Sequence, residues 1–370
     1  MEEPAAAENL EEQSRIRHYA DILNPLFWDD EFNRVDRLFE LICTLVRAGG
    51  IKDTGWDSHI ESVELLTDLQ NLSRIDLPPD RFPLPDNTRA RLALISYCHV
   101  TEMNFPYELV ANLLRLRLGL NYCMQPFAHL GRPITKKDNS GTKFVEKIIP
   151  ASPDKKIADL EALSLKAGLP DVGIAFRQIY DPVVRNAVYH SDYVVQDDSM
   201  RLLSGNWLLK KKGYYTPRIP FDELAELTGE AFAFHSALLA LYNRACRSFT
   251  DFKNTFLPYD LHYKALLEIT FEGDIITGFR TYWPNGTVGA FIRTPTSQCL
   301  AQNIRFRREG SIDFMVGIIA SKPGSFSPCV EIDGQPIYSM VPGTDLRPYW
   351  PDPLVGYKLP AVADPPEQKI

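Results

Sequence analysis

Apolar positions recur at intervals of three and four residues through the first third of the chain. Phe32, Val35, Phe39, Ile42 and Leu45 form one stripe, Leu92, Ile95 and Val100 a second, and Leu109, Leu113 and Leu116 a third. That period predicts helices over residues 12–130. Asp57 and Ser58 with Glu61 have the flavour of a capping box, and Asn87 is placed to cap the helix "TRARLALISYCHV". "IDLPPDRFPLP" (75–85) is an extended connection, because proline lacks an N–H and disfavours helix in the residue before it. Residues 131–156 mix Gly, Pro, Lys and Ser without a period and read as an exposed loop or a hinge between helical layers.

Helices resume over 156–170 and in "DVGIAFRQIYD", and Pro182 stands where a first helical turn accepts it, opening "PVVRNAVYHSDY". After Asp192 the pattern shortens to strand-like pieces, "YVVQ", "MRLL" and "NWLLKKKGYY", before one long helix over 220–249. From Leu261 onward, runs such as "ALLEITFEG" and "TYWPNGTVGAFIR" lie between Asn-Gly and Asp-Gly turns and predict strands. The fold class expected is α+β: a mainly helical bundle with a small β-hairpin insertion, followed by a β-rich C-terminal domain. The expected divisions are 1–86 (helical), 87–257 (helical, carrying the motif helix 182–192) and 258–370 (β-rich).

Composition narrows the function classes. A 370-residue chain that is 45% hydrophobic and 11% aromatic can bury a large core, and a net charge of −8 argues against a protein that coats nucleic acid non-specifically. The six cysteines (Cys43, Cys98, Cys123, Cys246, Cys299 and Cys329) include no CxxC pair, so packed thiols are expected rather than a zinc ribbon or disulfide framework. The acidic start "MEEPAAAENLEEQ" lacks the pattern of a signal peptide, and no apolar run approaches the roughly 20 residues of a membrane span, so a cytoplasmic protein is expected. There is no GxxxxGK[ST], no GxGxxG after a strand and no GxSxG.

The stretch with the most chemistry is "IYDPVVRNAVYHSDYVV" (179–195). On a helix Asn186 and His190 lie one above the other, and Arg185 stands about 140° from His190, within reach of a long guanidinium side chain. Val184, Ala187 and Val188 supply the packing side, which turns the polar residues outward. Arginine offers a planar fork of donors to a phosphate, and histidine takes or gives a proton near neutral pH. An RNA phosphodiester needs those roles and no metal. The plainer alternative has Arg185 paired with Asp181 and His190 closing its helix.

Arg185-Asn186-Ala187-Val188-Tyr189-His190 resembles the Arg, four to six residues, His motif of the HEPN superfamily in its form with Asn after the Arg. The flanks, with "MRLL" and "IPFDELAELTGEAFAFHSALL" following, resemble a bacterial branch of that family, and the resemblance covers roughly residues 87–247. It implies a helical bundle in which "ALISYCHVTEMNFPYELVANLLRLRLGLNY" is the paired helix against the motif helix. It further implies a homodimer whose two motif helices share one composite cleft, cutting RNA without metal or cofactor. On that reading Arg185 binds the scissile phosphate, His190 is general base or acid, and Asn186 orients the phosphate or the histidine. Such a protein would be a toxin or antiphage defence effector, with RNA and an antitoxin or regulatory protein as partners. The alternative within the resemblance is an inactive HEPN-like scaffold that binds a partner protein or a nucleotide.

Supporting candidates are Glu102, from an earlier helix, and Asp192 and Tyr193, directly after the motif. Lys210, Lys211 and Lys212, beside Tyr214 and Tyr215, read as a solvated turn or as a local attraction for RNA. His99 and Glu102 lie three apart, a spacing that favours a surface pair or a buried hydrogen bond over a metal site. Arg115 and Arg117 point to different sides of one helix, and His235, among Phe232 and Leu239, reads as core or interface.

Overall fold

The computed structural model describes residues 3–27, 35–46, 58–73, 75, 78, 80–81, 85–120, 122–123, 126–137, 139–196, 198–203, 209–211, 214–254, 256–259, 265–282, 288–293, 299–302, 304–306, 312–314, 326–332 and 335–340. Phe32, Asp57, Lys212, the Gly turns at 285–286 and 333–334 and the tail after 340 lie outside them. Helices alternate with antiparallel strands, so the architecture is mixed helix and sheet. Among the described residues no helix is long and apolar enough to cross a membrane. The chain forms two compact units, each assembled from three separate segments.

The first unit comprises Met1–Asn24, His59–Tyr107 and Ala151–Ala240. It holds most of α1 (Glu3–Phe27), α3 (Ser58–Ser73), α4 (Pro85–Glu102) and the start of α5 (Asn104–Arg117). Next come α6 (Pro153–Lys166), α7 (Pro170–Gln178), α8 (Pro182–His190) and the greater part of α9 (Phe221–Ser248). Its core is threaded by an aromatic ladder. Tyr19 meets Phe234 edge-on at 5.5 Å, Phe234 meets Phe176 at 4.7 Å, and Phe176 stacks on Tyr107 at 5.2 Å. Each such pair adds about 0.5–1.5 kcal/mol to the area it buries. Glu230 of α9 ties α1 by accepting from the Tyr19 hydroxyl at 2.5 Å and from Arg15 Nε at 3.2 Å.

After α8 the strands β3 (Tyr193–Gln196), β4 (Ser199–Leu202) and β7 (Arg218–Pro220) form a small antiparallel sheet in that order. The excursion between β4 and β7 carries the hairpin of β5 (Leu209–Lys211) and β6 (Tyr214–Thr216), rooted where the Leu202 N–H donates to the Pro217 carbonyl at 2.7 Å. The expected strand-like pieces are thus present. The extra strand β7 gives β4 a second partner.

The second unit comprises Pro25–Ser58, Glu108–Pro150 and Leu241–Ile370. Strands β8 (Phe256–Tyr259), β9 (Ala265–Glu272), β10 (Ile275–Tyr282), β11 (Val288–Arg293) and β12 (Cys299–Gln302) make a five-stranded antiparallel meander with neighbours consecutive in sequence. Leu267, Ile269, Phe279 and Phe291 are buried in it, and α2 (Val35–Val46) packs on β8 and β10. Gly278 opposes Ile292 where β10 and β11 approach so closely that a Cβ would lie 1.9 Å from the Phe291 carbonyl oxygen. Arg117 donates to the Pro25 carbonyl at 2.7 Å. Further hairpins are β13 (Ile304–Phe306) with β14 (Ile312–Phe314) and β15 (Phe326–Ile332) with β16 (Gln335–Met340).

Three local expectations are corrected. Residues 131–156 are not a loop: β1 (Arg132–Lys137) pairs antiparallel with β2 (Lys143–Ile149), turning through Gly141 at φ 85, and α6 begins at Pro153. Lysines spread along both strands mask the alternation that would have marked them. Asn87 does not precede its helix; Pro85 opens α4 and Asn87 is buried within its first turns. The single paired helix expected over 93–122 is two helices, α4 and α5, parted at Met103. Cys43, Cys98, Cys123 and Cys246 are thiols buried in the core.

Candidate active site

The site is built on α8, whose two ends are both fixed by local chemistry. Asp181 precedes it in extended conformation and its Oδ1 accepts from the Val183 and Val184 N–H groups at 2.8 and 3.0 Å, while Pro182 fills the first helical position. Asp181 is therefore the helix cap and not the partner of Arg185. At the other end Ser191 takes the left-handed conformation at φ 56. Its N–H donates to the Val188 carbonyl at 3.2 Å, and that of Asp192 to the Ala187 carbonyl at 2.9 Å. These are the paired bonds of a Schellman ending, with serine where glycine is usual. The chain then passes straight into β3, and the Leu203 N–H donates to the Asp192 carbonyl at 2.9 Å.

The buried hydroxyl of Tyr97 on α4 joins the start of this helix to its neighbour. It donates to the Ile179 carbonyl at 3.2 Å and accepts from the Asp181 N–H at 2.7 Å. Val184 and Ala187 are buried, so the opposite arc of α8, with Arg185, Asn186, Tyr189 and His190, faces outward.

Arg185 makes the densest set of contacts on that arc. Its Nε and Nη2 both lie 2.5 Å from Glu102 Oε1, and its Nη1 donates to Asn186 Oδ1 at 2.8 Å. Its guanidinium carbon sits 4.7 Å from the centre of the Tyr189 ring, a cation–π contact. A guanidinium has five N–H donors; Nε and one donor of Nη1 hydrogen-bond to Glu102 and Asn186, Nη2 lies against the Glu102 carboxylate, and no other hydrogen bond is made by the fork among the described residues. The pair is about one quarter exposed on each side, at 24% for Arg185 and 28% for Glu102.

Buried phenols and a thiol lie near this ion pair. Burial pushes the Cys98 thiol up to about 12, with Arg185 pulling it down and Glu102 pushing it up. Burial likewise raises the Tyr180 phenol to about 12, and it raises Tyr107 still further. These groups carry no charge near neutral pH.

The other sequence-level candidates separate. His190 ends α8 and is exposed; Asn186 is half-buried beside Arg185. Asp192 closes the Schellman turn through its backbone, and Tyr193 opens β3 opposite Leu202. Lys210 and Lys211 lie in β5, in register with Tyr215 and Tyr214. His99 Nε2 is 2.9 Å from the Ser62 carbonyl oxygen, a hydrogen bond within the fold. His235 is buried in α9. Among the described residues no group of three or more His, Cys, Asp or Glu side chains converges as a metal site would. Sequence reasoning missed Tyr189, although its position four residues after Arg185 was a usable signal. It also missed Tyr97 and Cys98, which carried none.

No protein-family model, no curated protein and no solved structure matches this chain.

Proposed function

We propose that this chain is a metal-independent endoribonuclease of HEPN type, working as a homodimer in which two α8 helices line one cleft. The observation that carries the reading is the state of Arg185: clamped by Glu102 and Asn186, it keeps donors on Nη1 and Nη2 for an anion on the same outward arc as the exposed His190. A guanidinium already fixed in place loses little freedom on binding a phosphate. The RNA 2'-hydroxyl gives its proton to a base and its oxygen attacks the adjacent phosphorus. The P–O5' bond breaks as the leaving oxygen takes a proton, and a 2',3'-cyclic phosphate remains. His190 of one protomer and its copy in the other supply the base and the acid, while Arg185 stabilises the charge on the pentavalent phosphorus. A cytoplasmic toxin or defence protein held by a regulatory partner is the setting this chemistry fits.

The test is incubation of the purified protein with RNA in EDTA, scored for products that end in 2',3'-cyclic phosphate. His190→Ala, at an exposed position, is expected to stay folded by circular dichroism and to lose cleavage by about 10²–10⁴-fold. Undiminished cleavage by that variant refutes the assignment. One observation favours a second reading, an inactive HEPN-like scaffold: Glu102 already neutralises Arg185. No cleavage at any protein concentration, alone or with a cell extract as source of an activator, would favour the scaffold.

A further inference from the structure

The sheet that follows α8 has two sides of different character. Val195, Met200, Leu202 and Ile219 are buried on one, while Val194, Gln196, Arg201, Leu203 and Arg218 are exposed. The register places Arg201 of β4 directly opposite Arg218 of β7, and opposite Val194 of β3 on its other flank. Residues directly opposite in an antiparallel pair point to the same side, and like charges there repel. Arg218 is partly neutralised by Asp198 at 2.8 Å and held by Ser199 Oγ at 3.0 Å. Arg201 makes no hydrogen bond or ion pair among the described residues. Arg201 thus faces a second arginine with no acid of its own among the described residues, and a polyanion laid across the pair would relieve the repulsion.

The position of the pair says which polyanion. Val194 is four residues after His190 and two after Asp192, about 7 Å along the strand from the Asp192 turn that closes α8. We infer that the outward side of the β3–β4–β7 sheet, centred on Arg201 and Arg218, is a binding surface for the RNA phosphate backbone that continues the α8 site. The inference rests on the nuclease reading for its substrate class. In a chain of net charge −8 the attraction for RNA must come from such local sites.

The experiment measures binding of a fluorescein-labelled single-stranded RNA by anisotropy over a KCl series, with His190→Ala in every protein to prevent turnover. Arg201→Glu is expected to weaken binding by about tenfold or more and to reduce the slope of log K against log[salt] by about 0.7 for each phosphate that is no longer neutralised. Arg201→Lys, which keeps the charge, should retain the slope. An unchanged affinity and slope for Arg201→Glu, or no RNA binding in the parent, overturns the surface. So does polyglutamate competing as well as RNA, which would assign the surface to an acidic protein partner. Cleavage by the protein without these substitutions, in EDTA, is scored separately. Cleavage with an unchanged Arg201→Glu slope leaves the nuclease standing and removes the surface; a changed slope without cleavage does the reverse.

Discussion

Replacing His235 with leucine should remove a defined part of the protein's sensitivity to acid. His235 is 3% exposed in α9, and neither ring nitrogen has a hydrogen-bond partner among the described residues. Burial, with a smaller contribution from His99, lowers its pKa from 6.5 to about 4. The imidazole is thus neutral in the folded protein and protonates readily only when unfolded. Its contribution to stability is therefore complete above pH 6.5, falls as the pH drops from 6.5 towards 4, and is gone below that window. A shift of that size corresponds to about 3 kcal/mol, at about 1.4 kcal/mol per pH unit. Urea unfolding followed by far-ultraviolet circular dichroism at pH 7, 5.5 and 4 measures it, with other acid-sensitive groups cancelling in the difference between native sequence and variant. His235→Leu should lose about 3 kcal/mol less over that range. At pH 7 it should be more stable by about 1 kcal/mol or more, since no unsatisfied nitrogen remains buried. Parallel loss in both proteins would refute the argument, because the histidine would then be protonated equally in the two states.

Two further substitutions test the packing around the candidate site. Gly173→Ala would place a Cβ 2.6 Å from Glu161 Cα and 2.6 Å from Ser164 Oγ, driving α7 off α6. The contact with backbone admits no rotamer escape, so overpacking of about 1–3 kcal/mol should outweigh the roughly 1 kcal/mol gained in helix propensity, and thermal melting should show a lower Tm. Ser191→Gly should raise Tm modestly, because glycine relieves about 1 kcal/mol of left-handed strain, partly offset by its extra freedom when unfolded. A fall in Tm for Ser191→Gly would mean that the serine side chain holds the helix end.

The start of α8 was legible in the sequence because it depends on a neighbouring pair, Asp-Pro, whereas the helix expected over 182–192 stops at His190, since Ser191 turns left-handed. The same locality explains why the plainer alternative fails. Asp181 was the nearest acid to Arg185, but its carboxylate serves the helix N–H groups, and the real partner, Glu102, lies 83 residues away. No spacing rule reaches that far. The position of Glu102 on an earlier helix could be guessed from the family resemblance, whereas the contact itself needed the tertiary fold. The β1–β2 hairpin was hidden by its lysines, and the split of α4 from α5 at Met103 by an apolar period that runs on across the break. The long helix α9 and the strands β9, β10 and β11 were the clearest to read from their apolar patterns, whereas the short β8 and β12 at the two edges of that sheet were not singled out.

The Tyr97 hydroxyl acts as a common origin from which two lengths of helix are measured. From it, five residues of α4 lead to Glu102, and from its partner Asp181 four residues of α8 lead to Arg185. At about 1.5 Å per residue the two arms are roughly 7.5 and 6 Å long and run in the same sense. Adding or removing one residue in either arm would turn its charged end by about 100° and part the ion pair, whatever the chemistry of the residue added. The intervals 97–102 and 181–185 should therefore refuse any change of length, whereas the excursion between β4 and β7 should accept one. Tolerance to insertion, mapped along the chain, would outline this site without reference to what the site does.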